Sequence, residues 1–520
     1  MKDIYCSYYT ESEDITSYMA SKMGISANDI ILEPSAGEGT FIDEIIKRKV
    51  KVRIDALDIN EVAISKMHQK YSSIPDVNIR HADTLFDEIL DDYANSEIWL
   101  KNTDILLDKQ LDLFSSQGGH YDKVIGNPPY GAWQDLKKRD LLKKKYVGQY
   151  VKETYTLFLL RSLSVLRNGG RLSFIIPDTF LFLNMHEKLR KILLTNTKIE
   201  EILIFPSKFF PGVSFGYSNL SIITLEKCDR EDALENTVRI IKGFNSSAEF
   251  ESVLRNKFEN HHRIYELKQL DIYTTEKSRF ILADDEVSTM IDASDKKLGD
   301  MASIVTGFYS GNNKKFICSK NENVKNSKGY QVIDISKIVD TTSLTGVKGV
   351  EEAYVPYVKS SSVTRYKRTD DDWFVRWDSK TVEFYNDDCN ARFQNSQFYF
   401  KKGIAIPMVK SKEIKATLME NRVFDQSIVG IFPKDEKDIY YILALMNSDV
   451  INRLIHIINP TANNSSNYVK QLPYKVPVSK DRKKIEENVA EIIALDIIED
   501  SGRIEELHKK NSELIEKAYL

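Results

Sequence analysis

Between residues 30 and 225, short apolar runs alternate with amphipathic stretches of helical period. This is the pattern of a mostly parallel sheet covered on both faces by helices. The runs at 29–34, 52–59, 77–83, 121–130, 170–177, 199–206 and 219–226 read as strands. Leucines and aromatics recur at helical spacing from Tyr150 to Leu166 and stop at Asn168-Gly169-Gly170, so a helix there leads straight into a strand. From about residue 245 the rhythm changes. Segments such as GFYSGNNKKF, DDWFVRWD and SQFYFKKGIAIPMV are short, aromatic and punctuated by turn residues, which predicts an irregular, β-containing second domain. Beyond Pro477 the chain is rich in Lys, Glu, Ile and Leu with helical period, predicting one or two helices broken near Ser501-Gly502. Few clean heptads occur in them, which favours docking on their own domain over a coiled coil with a second copy. The expected plan is a doubly wound α/β domain over 1–245, an α+β domain over 246–478 and a helical tail over 479–520.

Composition agrees with several folding units. The chain has 520 residues, 42% hydrophobic and 29% charged, which excludes a lone small module and a disordered chain. Lys and Arg number 73 against 77 Asp and Glu; the net charge of -4 argues against a surface that binds polyanions all over, but allows a local basic patch. Cys6, Cys228, Cys318 and Cys389 form no CxxC pair, so neither a disulfide framework nor a metal site of known spacing is expected. The N-terminal residues lack the apolar core of a signal peptide, and no run approaches the 18 or so apolar residues of a membrane span. The expectation is a soluble cytoplasmic protein with no membrane partner.

Candidate chemistry gathers at strand ends. The first strand runs into Ser35-Ala36-Gly37-Glu38-Gly39-Thr40-Phe41, where glycines let the backbone pass close to a ligand. Asp58 ends the second strand and Asp83 the third, at equal intervals of 25 residues from Glu33. One strand-helix unit per interval puts the three acids along one sheet edge. Asp58 is placed to accept from ribose hydroxyls and Asp83 from an adenine amino group. The turn lacks the third glycine of a pyrophosphate loop. A nucleoside without phosphates fits better, and S-adenosylmethionine, with its cationic sulfonium, is such a molecule.

After the fourth strand comes Asn127-Pro128-Pro129-Tyr130. The prolines hold an extended backbone, offering the Asn127 amide oxygen and the Pro128 carbonyl as acceptors for a planar NH2 group. Catalysis by such groups works through positioning and electrostatics. Tyr130 offers a stacking face worth about 1–3 kcal/mol per base.

With these residues in this order, after Tyr9-Thr10, the chain resembles the S-adenosylmethionine-dependent amino-methyltransferases of DNA, specifically the γ-class adenine-N6 enzymes of restriction-modification systems. The motifs cover about residues 5–225. The resemblance implies a class I methyltransferase (Rossmann-like) fold followed by a target-recognition domain. It implies a cofactor pocket from Thr10, Glu33, Pro34, Ala36, Gly37, Gly39, Phe41, Asp58, Ile59, Asp83 and Asn127. Asn127 and Pro128 would hold a flipped adenine, with Tyr130 on one face. The second aromatic falls in SKFFPGVSFGYSN, where Phe210 is the first choice and Phe209 the other. The partner implied is duplex DNA, met by a monomer that serves alongside a separate cognate restriction endonuclease.

Alternatives differ in residue chemistry. Methylation at carbon 5 of cytosine needs a cysteine nucleophile, usually after proline, and no cysteine here has that setting. Exocyclic cytosine enzymes more often carry Ser where Asn127 stands. Enzymes acting on a protein glutamine or RNA adenine also use this tetrapeptide, but are typically much shorter. A fused nuclease is the third alternative. The cofactor motif begins by residue 10 and acid-x-Lys triplets are no commoner than chance predicts, so methylation without cleavage is expected. Extruding an adenine costs a few kcal/mol, which phosphate contacts must help offset. Residues 135–152 hold seven Lys/Arg and two Asp. Lys137, Lys138, Arg139, Lys143, Lys144 and Lys145 are the candidate phosphate contacts. In the second domain, VKSSSVTRYKR, FYFKKG and NPTANNSSNYVKQLP mix basic, aromatic and amide groups, with Asn463 and Asn464 as candidate base readers.

Overall fold

The computed structural model describes residues 10, 12–94, 119–131, 136–210, 219–257, 263–283, 285–360, 362–369, 371–409, 413–459 and 464–520. The chain divides into two compact units, Met1–Phe280 and Ile281–Leu520.

The first unit is built on a nine-stranded sheet: β1 (Ile30–Glu33), β2 (Arg53–Asp58), β3 (Val77–His81), β4 (Tyr121–Gly126), β5 (Leu166–Pro177), β6 (Thr197–Pro206), β7 (Asn219–Lys227), β8 (Thr237–Lys242) and β9 (Arg263–Lys268). Their order is β3-β2-β1-β4-β5-β7-β6-β8-β9. β1 to β5 pair in parallel, and β7 enters antiparallel between β5 and β6. This is the class I methyltransferase arrangement, with the order reversing at β1 and β4, where a ligand crevice opens beyond the carboxyl ends of the strands. Two further strands extend the sheet, β8 parallel to β6 and β9 antiparallel to β8. The division between units therefore falls after Phe280 and not near residue 245, because the irregular stretch after 245 still contributes a sheet strand.

Helices α1 (Glu13–Lys22), α2 (Thr40–Lys47), α3 (Glu61–Tyr71), α4 (Glu88–Tyr93), α5 (Leu136–Lys145), α6 (Thr154–Val165) and α7 (Glu187–Asn196) accompany the strands. Every residue of α6 is buried, including Arg161, Ser162 and Ser164 among its leucines. It starts four residues later than its periodicity predicts and stops before Asn168. Its end is tied by Lys227, whose buried ammonium donates to the carbonyls of Leu163 and Leu166 at 2.9 and 2.6 Å.

The second unit holds a four-stranded sheet and a five-stranded one. Phe308, Tyr357, Trp373, Trp377, Tyr385 and Phe424 form an aromatic core, so the aromatic punctuation of this half of the sequence is mainly packing. Tyr399 and Phe400 of FYFKKG, Tyr366 of VTRYKR and Tyr468 are buried too. Two C-terminal helices, α8 (Ser479–Ala494) and α9 (Ser501–Tyr519), bury Ile485, Val489, Ile492, Leu507, Ile515 and Tyr519 in this unit's other core. The 479–520 segment is thus part of the second unit, not an appendage.

Candidate active site

The turn after β1 is lashed to the end of β2. Ala36 N donates to Leu57 O at 2.8 Å and Gly37 N to the Asp58 carboxylate at 2.7 Å. Gly37 and Gly39 adopt φ +54° and +83°, the left-handed region that favours glycine. A Cβ on Gly39 would also lie 2.5 Å from the Tyr71 hydroxyl, which instead sits 2.7 Å from the Gly39 carbonyl. Phe41, in the first turn of α2, is buried with Ile42 and Ile45, which fixes the helix behind the turn.

Sheet register shows why equal spacing placed the acids together. Glu33 pairs with Ala56 and Asp58 with His81, so Asp58 and Asp83 each extend two residues beyond the strand partner of the preceding acid. Two is one strand period, so the parity of side-chain direction is kept. The half-buried Asp58 carboxylate accepts from Gly37 N and, at 2.8 Å, from Asn60 N. Burial raises its pKa, while backbone N–H donors from Asn60, Gly37 and Ile59 and the nearby His81 oppose the shift. Ile59 beside it is 38% exposed, an apolar surface flush with a hydrogen-bonding acid.

Glu33 is 1% exposed, and its Oε2 has no hydrogen-bond partner among the described residues. Burial, then the charges of Asp58 and Asp43, hold its carboxyl well above the usual range. An orphaned buried acid next to a glycine turn, with a second acid and an apolar face alongside, fits a nucleoside that carries a positive charge. The residues present therefore suit S-adenosylmethionine. Asp83 is more committed: one oxygen accepts from Leu85 N at 3.1 Å and the other meets Lys138 Nζ at 2.8 Å.

Asn127-Pro128-Pro129-Tyr130 leaves β4 at this same edge. Hydroxyls hold it at three points. Asn127 Nδ2 donates to Thr10 Oγ1 at 3.2 Å, Ser35 Oγ donates to the Asn127 carbonyl at 3.3 Å, and Thr154 Oγ1 donates to the Pro129 carbonyl at 2.6 Å. Thr10, far away in sequence, is thereby joined to the tetrapeptide. Pro34 is also engaged, its carbonyl accepting from the Thr84 hydroxyl. Tyr130 and Phe210 are 1% and 2% exposed, so both rings are covered. Phe209 lies along Phe250 at 6.3 Å, itself stacked on Phe205 at 4.3 Å.

Three residues at this edge escaped the sequence reading: Ser35, Thr154 and Asp178. Asp178 follows β5, is 9% exposed and accepts from Asn219 Nδ2 at 3.1 Å; burial pushes its pKa up to about 6. The strand-end rule that found Asp58 applies equally to the sequence Ile175-Ile176-Pro177-Asp178. Hydroxyls such as those of Ser35 and Thr154 carry no comparable signal.

The basic helix α5 divides. Lys138 is paired with Asp83, Lys143 with Asp140 at 3.4 Å, and Lys145 with Asp91 at 2.8 Å while its ammonium lies 5.6 Å from the Phe86 ring centroid. Lys138 and Lys145 hold α5 to the segment after β3, helped by the Tyr146 hydroxyl donating to Leu85 O at 3.0 Å. Arg139 is half-buried; Lys137 and Lys144 are exposed, with no acidic partner among the described residues. Asn464 is buried, its side-chain oxygen accepting from Asn459 at 3.3 Å, so its amide serves the interior and is not on the surface as a base reader would be. Asn463 lies outside the described residues.

Residues 40–210, which hold Asp58, Asp83, the Asn127–Tyr130 tetrapeptide and Phe210 but not Thr10, Glu33 or the glycine turn, match the model of the Eco57I restriction-modification methylase family. Type II methyltransferase M.HincII of Haemophilus influenzae is 28% identical over 207 residues, 38% of this chain and 34% of its own length. M.VspI of Vibrio sp. (strain 343) is 26% identical over 288 residues, 55% of this chain and 59% of its own. A fused restriction enzyme and methyltransferase, RM.Eco57I of Escherichia coli, is 33% identical over 114 residues, which is 11% of its length. The matches to M.HincII, M.HindII and M.AccI span about a third of those relatives. Among solved structures, a nuclease-deletion mutant of the Type ISP restriction-modification enzyme LlaGI in complex with a DNA substrate mimic shares the fold over 94% of this chain and 54% of its own, with TM-score 0.52 and 15% identity. By sequence, the likeness to restriction-modification methyltransferases covers residues 40–210 in the family model and 38% and 55% of this chain in M.HincII and M.VspI.

Proposed function

We propose that the chain transfers a methyl group from S-adenosylmethionine to the N6 amino group of an adenine flipped out of duplex DNA, as the modification enzyme of a restriction-modification system. The observation that carries this reading is the convergence of Asn127-Pro128-Pro129-Tyr130 with the Glu33–Gly39 turn and Asp58 on one sheet edge, locked by the Asn127–Thr10 hydrogen bond. S-adenosylmethionine supplies an electrophilic methyl group. Asp58 anchors its ribose, Ile59 and Asp83 receive its adenine, and Glu33 with the turn amides faces its charged end. Thr10 fixes the Asn127 side chain from the nitrogen end, which turns the amide oxygen toward the target amino group. That oxygen and the Pro128 carbonyl accept the two amino hydrogens and direct the nitrogen lone pair at the methyl. Tyr130 and Phe210 sandwich the base. Both rings are covered in this structure, so base entry requires them to be uncovered.

The choice of DNA over a protein glutamine or an RNA adenine is supported by the match to restriction-modification methylases and by a fold shared over nearly the whole chain with a DNA-bound one. Incubation with labelled S-adenosylmethionine and unmodified bacterial genomic DNA, then single-molecule mapping of modified adenines, tests the reading. Adenine modification at one short sequence is expected, and label appearing only on protein or RNA would overturn it. Asn127→Ala should lower kcat by several orders of magnitude and leave cofactor affinity by isothermal titration near the wild-type value. Retained methylation would remove Asn127 from the mechanism. Incubating DNA with the full chain and Mg2+ distinguishes the fused restriction-modification alternative, which predicts cleavage.

A further inference from the structure

Pro129, the third residue of the tetrapeptide, is held by an element that its sequence position does not link to it. Thr154, the first residue of α6, is 2% exposed and donates to the Pro129 carbonyl at 2.6 Å. Glu153, just before it, stands at the N-cap position yet makes no side-chain cap. Its carboxylate lies instead 2.9 Å from Nε2 of His186, a buried histidine at the entry to α7. The Tyr150 ring meets the His186 ring edge-on at 5.5 Å. The next residue, Tyr155, places its hydroxyl 3.0 Å from Thr179 Oγ1 and 3.4 Å from His186 Nε2. Three successive side chains thus fasten the start of α6 to the α7 entry, to the tetrapeptide and to the residue that follows Asp178.

The consequence for the tetrapeptide is geometric. Prolines fix φ at both central positions, so the remaining freedom of the segment is the rotation of its carbonyl-bearing bonds. A short hydrogen bond to the Pro129 carbonyl fixes that rotation at Pro129, and with it the direction in which Tyr130 leaves. The pairing of the Glu153 carboxylate with a buried histidine holds the residue before the donor in place. None of these bonds reaches Glu33, Asp58 or the glycine turn.

We propose that Thr154, braced by the Glu153–His186 pair, is a positioning residue for methyl transfer. It sets the Tyr130 ring against the target base, through the Pro129 carbonyl, without contributing to cofactor binding. The proposal rests on the functional reading above. The test uses the full chain and its variants Thr154→Val, Thr154→Ser and Glu153→Gln, with initial rates on unmodified genomic DNA, titration with S-adenosylmethionine and thermal melting. Thr154→Val, which keeps shape and removes the hydroxyl, should lower kcat on the order of 10- to 100-fold, the loss expected from a misplacement of about an ångström. Cofactor affinity should stay at the wild-type value. Thr154→Ser should restore most of the rate, and Glu153→Gln should fall between. Wild-type kcat in Thr154→Val overturns the proposal, as does a Ser variant no better than the Val one. So does loss of cofactor affinity in parallel with rate, which marks general structural damage. A wild-type chain that binds cofactor but methylates no DNA refutes the functional reading, and the proposal with it, before any variant is made.

Discussion

Asp178 closes β5 with a carboxyl that is buried and partnered by one amide. Its pKa of about 6 stands above the ordinary 3.8, so between those values the folded chain holds a proton that the unfolded chain has released. Its contribution to stability is therefore greatest below pH 4, declines as pH rises through 6, and is constant beyond. The shift corresponds to a penalty of up to about 3 kcal/mol above pH 7. Asp178→Asn keeps an oxygen for Asn219 and removes the ionisation. Its thermal midpoint should exceed the wild type's at pH 7.5 and match it near pH 4; equal midpoints at both would show that Asp178 ionises without cost. At this scale Glu33, Asp58, Asp83 and, through the resemblance, Thr10 were legible, whereas Ser35, Thr154 and Asp178 were not. Glu33, Asp58 and Asp83 announce themselves because strand ends are readable and charge is scarce there. Ser35 and Thr154 matter only through proximity that tertiary packing creates.

Helix α5 shows the same limit for an element. Its charge run was legible as a cationic surface, but the partner of each lysine was not. The acids that bind Lys138 and Lys145 lie on another helix-strand unit, 55 and 54 residues away. A lysine already paired releases fewer counterions on meeting a phosphate, so on the proposed function the electrostatic contribution to DNA binding is expected to fall on the exposed Lys137 and Lys144. Replacing both by Ala should weaken DNA binding and reduce the slope of log affinity against log salt by about 1 to 2. Lys145→Ala should instead lower the thermal midpoint with little change in that slope. Measuring fluorescence anisotropy across a salt series separates the two, and an unchanged slope in the double variant would take α5 out of the DNA contact. The strands were better foretold than this helix. Alternation and turn residues are local, whereas the 23-residue register offset that keeps Asp58 and Asp83 in phase emerges only on pairing.

For the molecule as a whole, the near-neutral net charge is partly the sum of internal matches, such as Lys138 with Asp83, Arg376 with Asp378 and Arg422 with Asp371. The domain plan was readable where composition changes and blurred where one fold continues through a change of rhythm, as β9 does. At the C-terminus a shift in composition marked a segment that is structurally no separate piece. Ile485, Val489, Ile492, Leu507, Ile515 and Tyr519 are each at most 2% exposed within the second unit. Full burial of such a side chain contributes about 1.5–3 kcal/mol. Tyr519 also donates to the Pro473 carbonyl at 2.7 Å and accepts from Lys475 N at 3.1 Å, which ties the last helix to the strap before α8. Deleting 479–520 should therefore unfold the second unit, seen as loss of its protected amides in hydrogen exchange. The first unit has its own sheet and core, so its amides should stay protected and the affinity for S-adenosylmethionine proposed for it should persist. A deletion variant whose second unit remains protected would mean that the two helices cover a core able to close without them.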